Sequence, residues 1–140
     1  MYPRITTSPG WPSGSDLPEL STTRTYDVTQ EAEVEQLITT AVSRLGAIDV
    51  LVNNAGLGGT AQPVDMTDEQ WSRVLDVSLT GTMRVIRAAL RPMLARGSGV
   101  IVNNASVLGW RAQAGQSLCC CDSRVMAFTR CVALGVHARH

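Results

Sequence analysis

Residues 48–56 read IDVLVNNAG, and residues 99–106 read GVIVNNAS. Each is a short β-branched apolar run that stops abruptly at Asn, Ala and a small residue. A run of this length that is apolar at successive positions predicts a buried parallel strand carrying polar groups at its carboxyl end. In open α/β sheets that end is where ligands bind.

The flanking segments read as helices. Val34, Leu37, Ile38, Ala41, Val42 and Leu45 recur at helical spacing, and Gly46 is a natural stop. Asp27-Val28-Thr29 opens this helix, after a short strand expected over residues 24–28. Thr67 and Gln70 frame a capping box. The helix it starts carries an apolar stripe of Trp71, Val74, Leu75, Leu79, Met83, Ile86 and Leu90, with Pro92 and Gly97 expected to end or fray it. Gly81 in mid-helix costs about 1 kcal/mol against Ala, which points to close packing there. A strand over 100–103, a loop around 109–116 and a helix over 120–134 complete an order of strand, helix, strand, helix, strand, helix. That order predicts crossover connections and a parallel sheet.

Residues 1–23 hold four prolines, Gly10, Gly14 and clustered Ser and Thr without apolar periodicity, so they read as a loop or disordered leader. The domain then spans 24–134, with a tail at 135–140. Twelve basic and twelve acidic residues cancel. Without a basic block, neither nucleic acid nor an anionic membrane is expected as a partner. The start MYPRITTSPG has no sustained apolar core, and no stretch approaches the roughly 18 apolar residues of a membrane span, so the expected location is the cytoplasm. Cys119, Cys120 and Cys121 are consecutive, a spacing that suits neither a disulfide framework nor a zinc knuckle, so no metal is expected.

The pair of Asn-Ala motifs, together with Val125-Met126-Ala127-Phe128-Thr129-Arg130, resembles the short-chain dehydrogenase/reductase family over residues 26–134. The resemblance implies a partial Rossmann-type α/β fold, a doubly wound parallel sheet in three α/β/α layers whose first strands are missing. It implies hydride transfer between NAD or NADP and a small alcohol or carbonyl substrate. By that resemblance Asp27 and Val28 lie at the adenine, Asn54, Ala55 and Gly56 lie against the adenosine ribose, and Ser106 holds the reacting oxygen. Ser78 takes the place of an Asn that supports a proton relay. The stretch VNNASVLGWRAQ, residues 102–113, looks most like bacterial members acting on acyl thioesters or steroid-derived alcohols. A plainer reading stays open, in which Asn53 and Asn54 stitch neighbouring loops and Asp27 serves the helix start.

The chain departs from the family pattern at two places. Dinucleotide binding rests on a Gly-rich turn between a strand and a helix, and no such turn lies upstream of Asp27. The family's catalytic Tyr lies thirteen residues after the Ser and its Lys four further on, whereas positions 119 and 123 here are Cys and Ser. A catalytically impaired oxidoreductase fragment of low stability is the expectation: either the strand over 24–28 pairs directly with 48–52, or one edge of that apolar strand stays open and favours oligomers or aggregates. The alternative is a non-enzymatic module that docks on a homologous full-length subunit through the helices 67–91 and 120–134, the subunit interface by resemblance.

Overall fold

A computed structural model describes residues 24–137. The expected leader, 1–23, and the last three tail residues, 138–140, lie outside the described residues. Helix α1 is Glu31–Leu45 and strand β1 is Val50–Asn53. Helix α2, Asp68–Leu75, passes through a π-helical turn, Asp76–Gly81, into α3, Thr82–Arg96. Strand β2, Val100–Asn103, leads through two 3-10 turns, Val107–Gly109 and Ser117–Cys119, to α4, Cys120–His137. The tail expected from residue 135 is thus helical through His137.

The two strands pair in parallel with Val50 opposite Val100, Leu51 opposite Ile101, Val52 opposite Val102 and Asn53 opposite Asn103. The strand expected over 24–28 does not form. Asp27 takes that segment into a turn instead: its Oδ1 accepts from the Thr29 N–H at 2.9 Å and the Thr29 hydroxyl at 2.8 Å, and the Gln30 N–H bonds the Asp27 carbonyl at 3.0 Å. The Asp27 N–H also donates to Glu33 Oε2 at 2.7 Å, which ties the turn to the first turn of α1. Among the described residues β1 therefore has β2 as its neighbour and its other edge is open.

Side-chain alternation divides the sheet into a covered and a bare face. Leu51 packs into a core with Val34 and Ile38 of α1 and Val85, Ala88 and Ala89 of α3. The alternate positions Val50, Val52, Val100 and Val102 are 58%, 61%, 55% and 46% exposed, so that face of the sheet is bare. The described residues thus build a helix layer and a small parallel sheet, part of the three-layer arrangement that the resemblance implies.

Two glycine and proline expectations meet different outcomes. A Cβ on Gly81 would stand 2.7 Å from Val28 Cγ2, so the close packing expected there is present and Val28 is the group that needs the space. Pro92 does not end α3, which runs on to Arg96 and closes at Gly97. Proline removes one backbone bond, but the burial of Ala88, Ala89 and Met93 on either side holds the helix together. The capping box is formed as expected, with Gln70 N–H on Thr67 Oγ1 at 3.2 Å and Thr67 N–H on Gln70 Oε1 at 3.0 Å.

Candidate functional site

Parallel pairing carries the ends of β1 and β2 to the same side, and the two Asn-Asn pairs meet there. Asn53 Nδ2 donates to Asn103 Oδ1 at 2.7 Å, and Asn103 Nδ2 donates to Thr129 Oγ1 of α4 at 2.8 Å. Asn104 Nδ2 donates to Asn54 Oδ1 one step further on. These amides couple both strands to α4, so the stitching role left open for Asn53 and Asn54 is formed.

Beyond the amides lies a cleft of about 290 Å³ lined by Asn54, Ala55, Gly56, Ser78, Asn104, Ser106 and Asp122, among others. The structure thus brings together five of the residues singled out from the sequence: Asn54, Ala55, Gly56, Ser78 and Ser106. Asp27 and Val28 do not line it. Asp27 is engaged in the turn before α1, and Val28 is 8% exposed and packed in the core.

Each cleft side chain is held by a local device. The Ser106 Oγ accepts from the Leu108 N–H at 3.2 Å and thereby caps the first 3-10 turn. That turn is pressed against α4, because a Cβ on Gly109 would lie 3.1 Å from the Ser123 nitrogen and 3.3 Å from the Asp122 carbonyl carbon. Ser78 sits in the π-helical turn, which sequence periodicity read as ordinary helix. Its Oγ accepts from the Leu57 N–H at 3.0 Å and lies 3.5 Å from the Leu57 carbonyl. Single π turns inside α-helices are frequent at functional sites. Here the turn is braced by Arg84 Nη1 on Asp76 Oδ1 at 2.8 Å. Cys121, which lines the cleft, is buried in a cluster with Leu118 and Val74 of α2.

Asp122 is the cleft residue that the motifs did not reveal. It is the third residue of α4 and is half-buried in the cleft lining. Burial pushes its carboxyl above the ordinary value of 3.8, and the Ser106 backbone offsets part of that rise. The signal available in the sequence was an acid in the first turn of a helix whose start abuts the Asn-Ala-Ser motif. Ser123, at the position of the family's Lys, turns its hydroxyl to the Cys120 carbonyl at 3.2 Å and is exposed.

The cleft fits one half of a nicotinamide dinucleotide better than the whole. Ala55 and Gly56 leave room for a sugar: even a Cβ on Gly56 would meet only Ser78 Oγ, at 3.7 Å. A pyrophosphate needs backbone N–H groups at a helix start or a cation. Among the described residues the cleft lining has no Lys or Arg and does have Asp122. Its volume is also near the low end of the roughly 300–1,000 Å³ typical of ligand sites. The described residues therefore suit a nucleoside and a small oxygenated ligand, and they provide no grip for the pyrophosphate. Among the described residues no group of three His, Cys, Asp or Glu side chains is placed to hold a metal, and no helix is long and apolar enough to cross a membrane.

Comparison with known proteins places this geometry. The short chain dehydrogenase family profile matches residues 15–139. The (5R,7aS)-5-hydroxy-7a-methyl-1-oxo-2,3,5,6,7,7a-hexahydro-1H-indene-carboxyl-CoA reductase of Mycobacterium tuberculosis is 58% identical over 110 residues, which are 77% of this chain and 42% of that protein. A crystal structure of a short chain dehydrogenase from Mycobacterium smegmatis superposes with a TM-score of 0.75 at 57% identity, covering 79% of this chain and 47% of the other. The NADPH complex of an actinorhodin polyketide ketoreductase variant superposes with a TM-score of 0.78 at 38% identity, covering 81% and 44%. This chain thus spans less than half the length of these relatives.

Proposed function

Because this chain belongs to the short-chain dehydrogenase/reductase family, we propose that it is an NAD(P)-dependent alcohol/carbonyl oxidoreductase fragment that keeps the oxygen-binding part of the site and is catalytically impaired. The observation that carries this reading is the convergence of Ser106, Ser78 and the Asn54-Ala55-Gly56 backbone on one cleft, in which, among the described residues, Cys121 and Asp122 are the titratable groups and neither Tyr nor Lys is found. Ser106 supplies the donor: its Oγ accepts from Leu108, which leaves its own hydrogen for a ligand oxygen. Ala55 and Gly56 offer backbone to a ribose, and Ser78 fixes the Leu57 backbone beside it.

A nicotinamide dinucleotide, NAD or NADP, would supply the hydride chemistry if bound, with Ala55 and Gly56 at its ribose. Loss of positioned acid–base catalysis costs typically about 10²- to 10⁴-fold, so turnover is expected to be low even when a cofactor is present. The substrate class favoured by the relative at 58% identity is a fused-ring ketone or alcohol bearing a carboxyl-CoA group.

Titration with NADH and NADPH, following cofactor fluorescence and thermal melting together, tests this. Weak binding with little or no reduction of a bicyclic ketone is expected. Saturable micromolar binding accompanied by turnover at rates usual for such enzymes would overturn the impaired reading.

A second reading has its own support. An apolar groove of about 460 Å³ runs between α3 and α4, lined by Met83, Leu90, Leu94, Phe128 and Val132 among others. It suits docking on a homologous full-length subunit. Co-purification with such a subunit, lost on Phe128→Asp, would favour this module over the enzyme remnant.

A further inference from the structure

Building on the alcohol/carbonyl reading above, we infer that Asp122 and Ser106 form a two-point oxygen site, in which the Ser106 hydroxyl donates to the oxygen of a ketone or alcohol and the Asp122 carboxyl holds that oxygen's proton. The two residues line the same cleft, and the Ser106 backbone favours the ionised Asp122 carboxyl, which burial opposes. A carboxylate has roughly four lone-pair sites, so the group can also accept from a ligand. The approach of Gly109 to the Asp122-Ser123 backbone keeps the Ser106 loop and α4 in register.

Among the described side chains, other ionisable groups do not take this role. The Cys121 thiol is buried and donates to the Leu118 carbonyl at 3.5 Å. Arg124 lies beside the Cys120 sulfur at 4.0 Å, and Arg111 is exposed on the loop beyond the first 3-10 turn; neither lines the cleft. Burial also raises the Asp122 carboxyl above its ordinary value, which keeps a proton on it at higher pH than on an exposed Asp. The chemistry then has a sign. A ketone oxygen only accepts, so it prefers protonated Asp122, whereas an alcohol hydroxyl donates and prefers the ionised form. This is the pairing required of a general acid for carbonyl reduction and a general base for alcohol oxidation.

The test needs no cofactor. Isotope-labelled protein is titrated with 1-indanone and with 1-indanol from about pH 4 to 8, while NMR follows the Asp122 carboxyl carbon and the Ser106 and Leu108 amides. Indanone is expected to raise the Asp122 pKa and bind more weakly as pH rises; indanol is expected to lower that pKa and bind more tightly. Each affinity changes by up to about tenfold per pH unit. Asp122→Asn retains a side-chain oxygen and is expected to flatten both profiles. Shifts of the same sign for the two ligands, or an Asp122 carboxyl that responds to neither, would overturn the inference, and this readout on the unsubstituted chain is independent of how the variant folds. Failure of cofactor binding with intact opposite shifts removes the redox reading and leaves the oxygen site. Cofactor binding without those shifts leaves the oxidoreductase and removes Asp122 from it.

Discussion

Ser106, on the loop after β2, and Asp122, in the first turn of α4, line one cleft, where the Ser106 backbone favours the Asp122 carboxylate and burial opposes it. A residue on the Asn-Ala-Ser motif thereby shares the cleft with a side chain from a segment that departs from the family pattern. Asp122 carries an electrostatic cost there, since its carboxyl is partly withdrawn from water.

That cost gives a pH dependence of stability. The folded carboxyl binds its proton more tightly than the unfolded one, because burial raises its pKa above 3.8. Its contribution is therefore full below the unfolded pKa and is lost as pH rises through the folded pKa. Asp122→Asn, which cannot ionise, should melt higher relative to the unsubstituted chain near neutral pH than in acid. Melting curves across that range check this, and a gap that does not change with pH would count against it.

Gly81→Ala should destabilise despite the better helix propensity of Ala. The new Cβ would stand 2.7 Å from Val28 Cγ2 and 3.0 Å from Val28 Cβ. Overpacking of this kind costs about 1–3 kcal/mol. Chemical denaturation should show that loss, and Val28→Ala in the same chain should recover part of it by removing the colliding methyls.

The bare sheet face should drive self-association. Val50 and Val52 are more than half exposed and lie beside the open edge of β1. Val52→Lys puts a charge on that surface, a device natural edge strands use against pairing. Light scattering should show smaller species at matched concentration, with stability changed by no more than about 0.5 kcal/mol. Equal association of the two proteins would place the contact elsewhere.

Thr67→Ala removes the hydroxyl that accepts from the Gln70 N–H. Loss of such a cap typically costs about 1 kcal/mol. Because α2 leads directly into the π turn that holds Ser78, hydrogen exchange should accelerate first over residues 68–81. Protection that falls equally across α1 would show that the helix start is not an independent unit.

Much of the architecture was legible from short-range chemistry. The apolar runs before Asn53 and Asn103, the spacing of Val34, Ile38 and their neighbours, and the Thr67 to Gln70 box each carry their own structural instruction within a few residues. Gly81 was readable as a close-packing site, although its partner, Val28, was not. The family resemblance likewise rested on contiguous motifs, and five of the seven site residues drawn from it converge in the cleft.

What short-range patterns left open depends on groups distant in the chain. Residues 24–28 have strand-like composition, but a strand exists only where a neighbour accepts its ladder, and the Asp27 turn directs this segment toward α1 instead. The π turn at 76–81 keeps the apolar stripe of a plain helix, so periodicity could not reveal it; the bond of Ser78 to Leu57, 21 residues away, marks its place. Asp122 carries no motif at all. Its role follows from burial and from meeting the Ser106 backbone, and both arise only when β2 and α4 pack, because desolvation and local electrostatics are properties of the assembled neighbourhood.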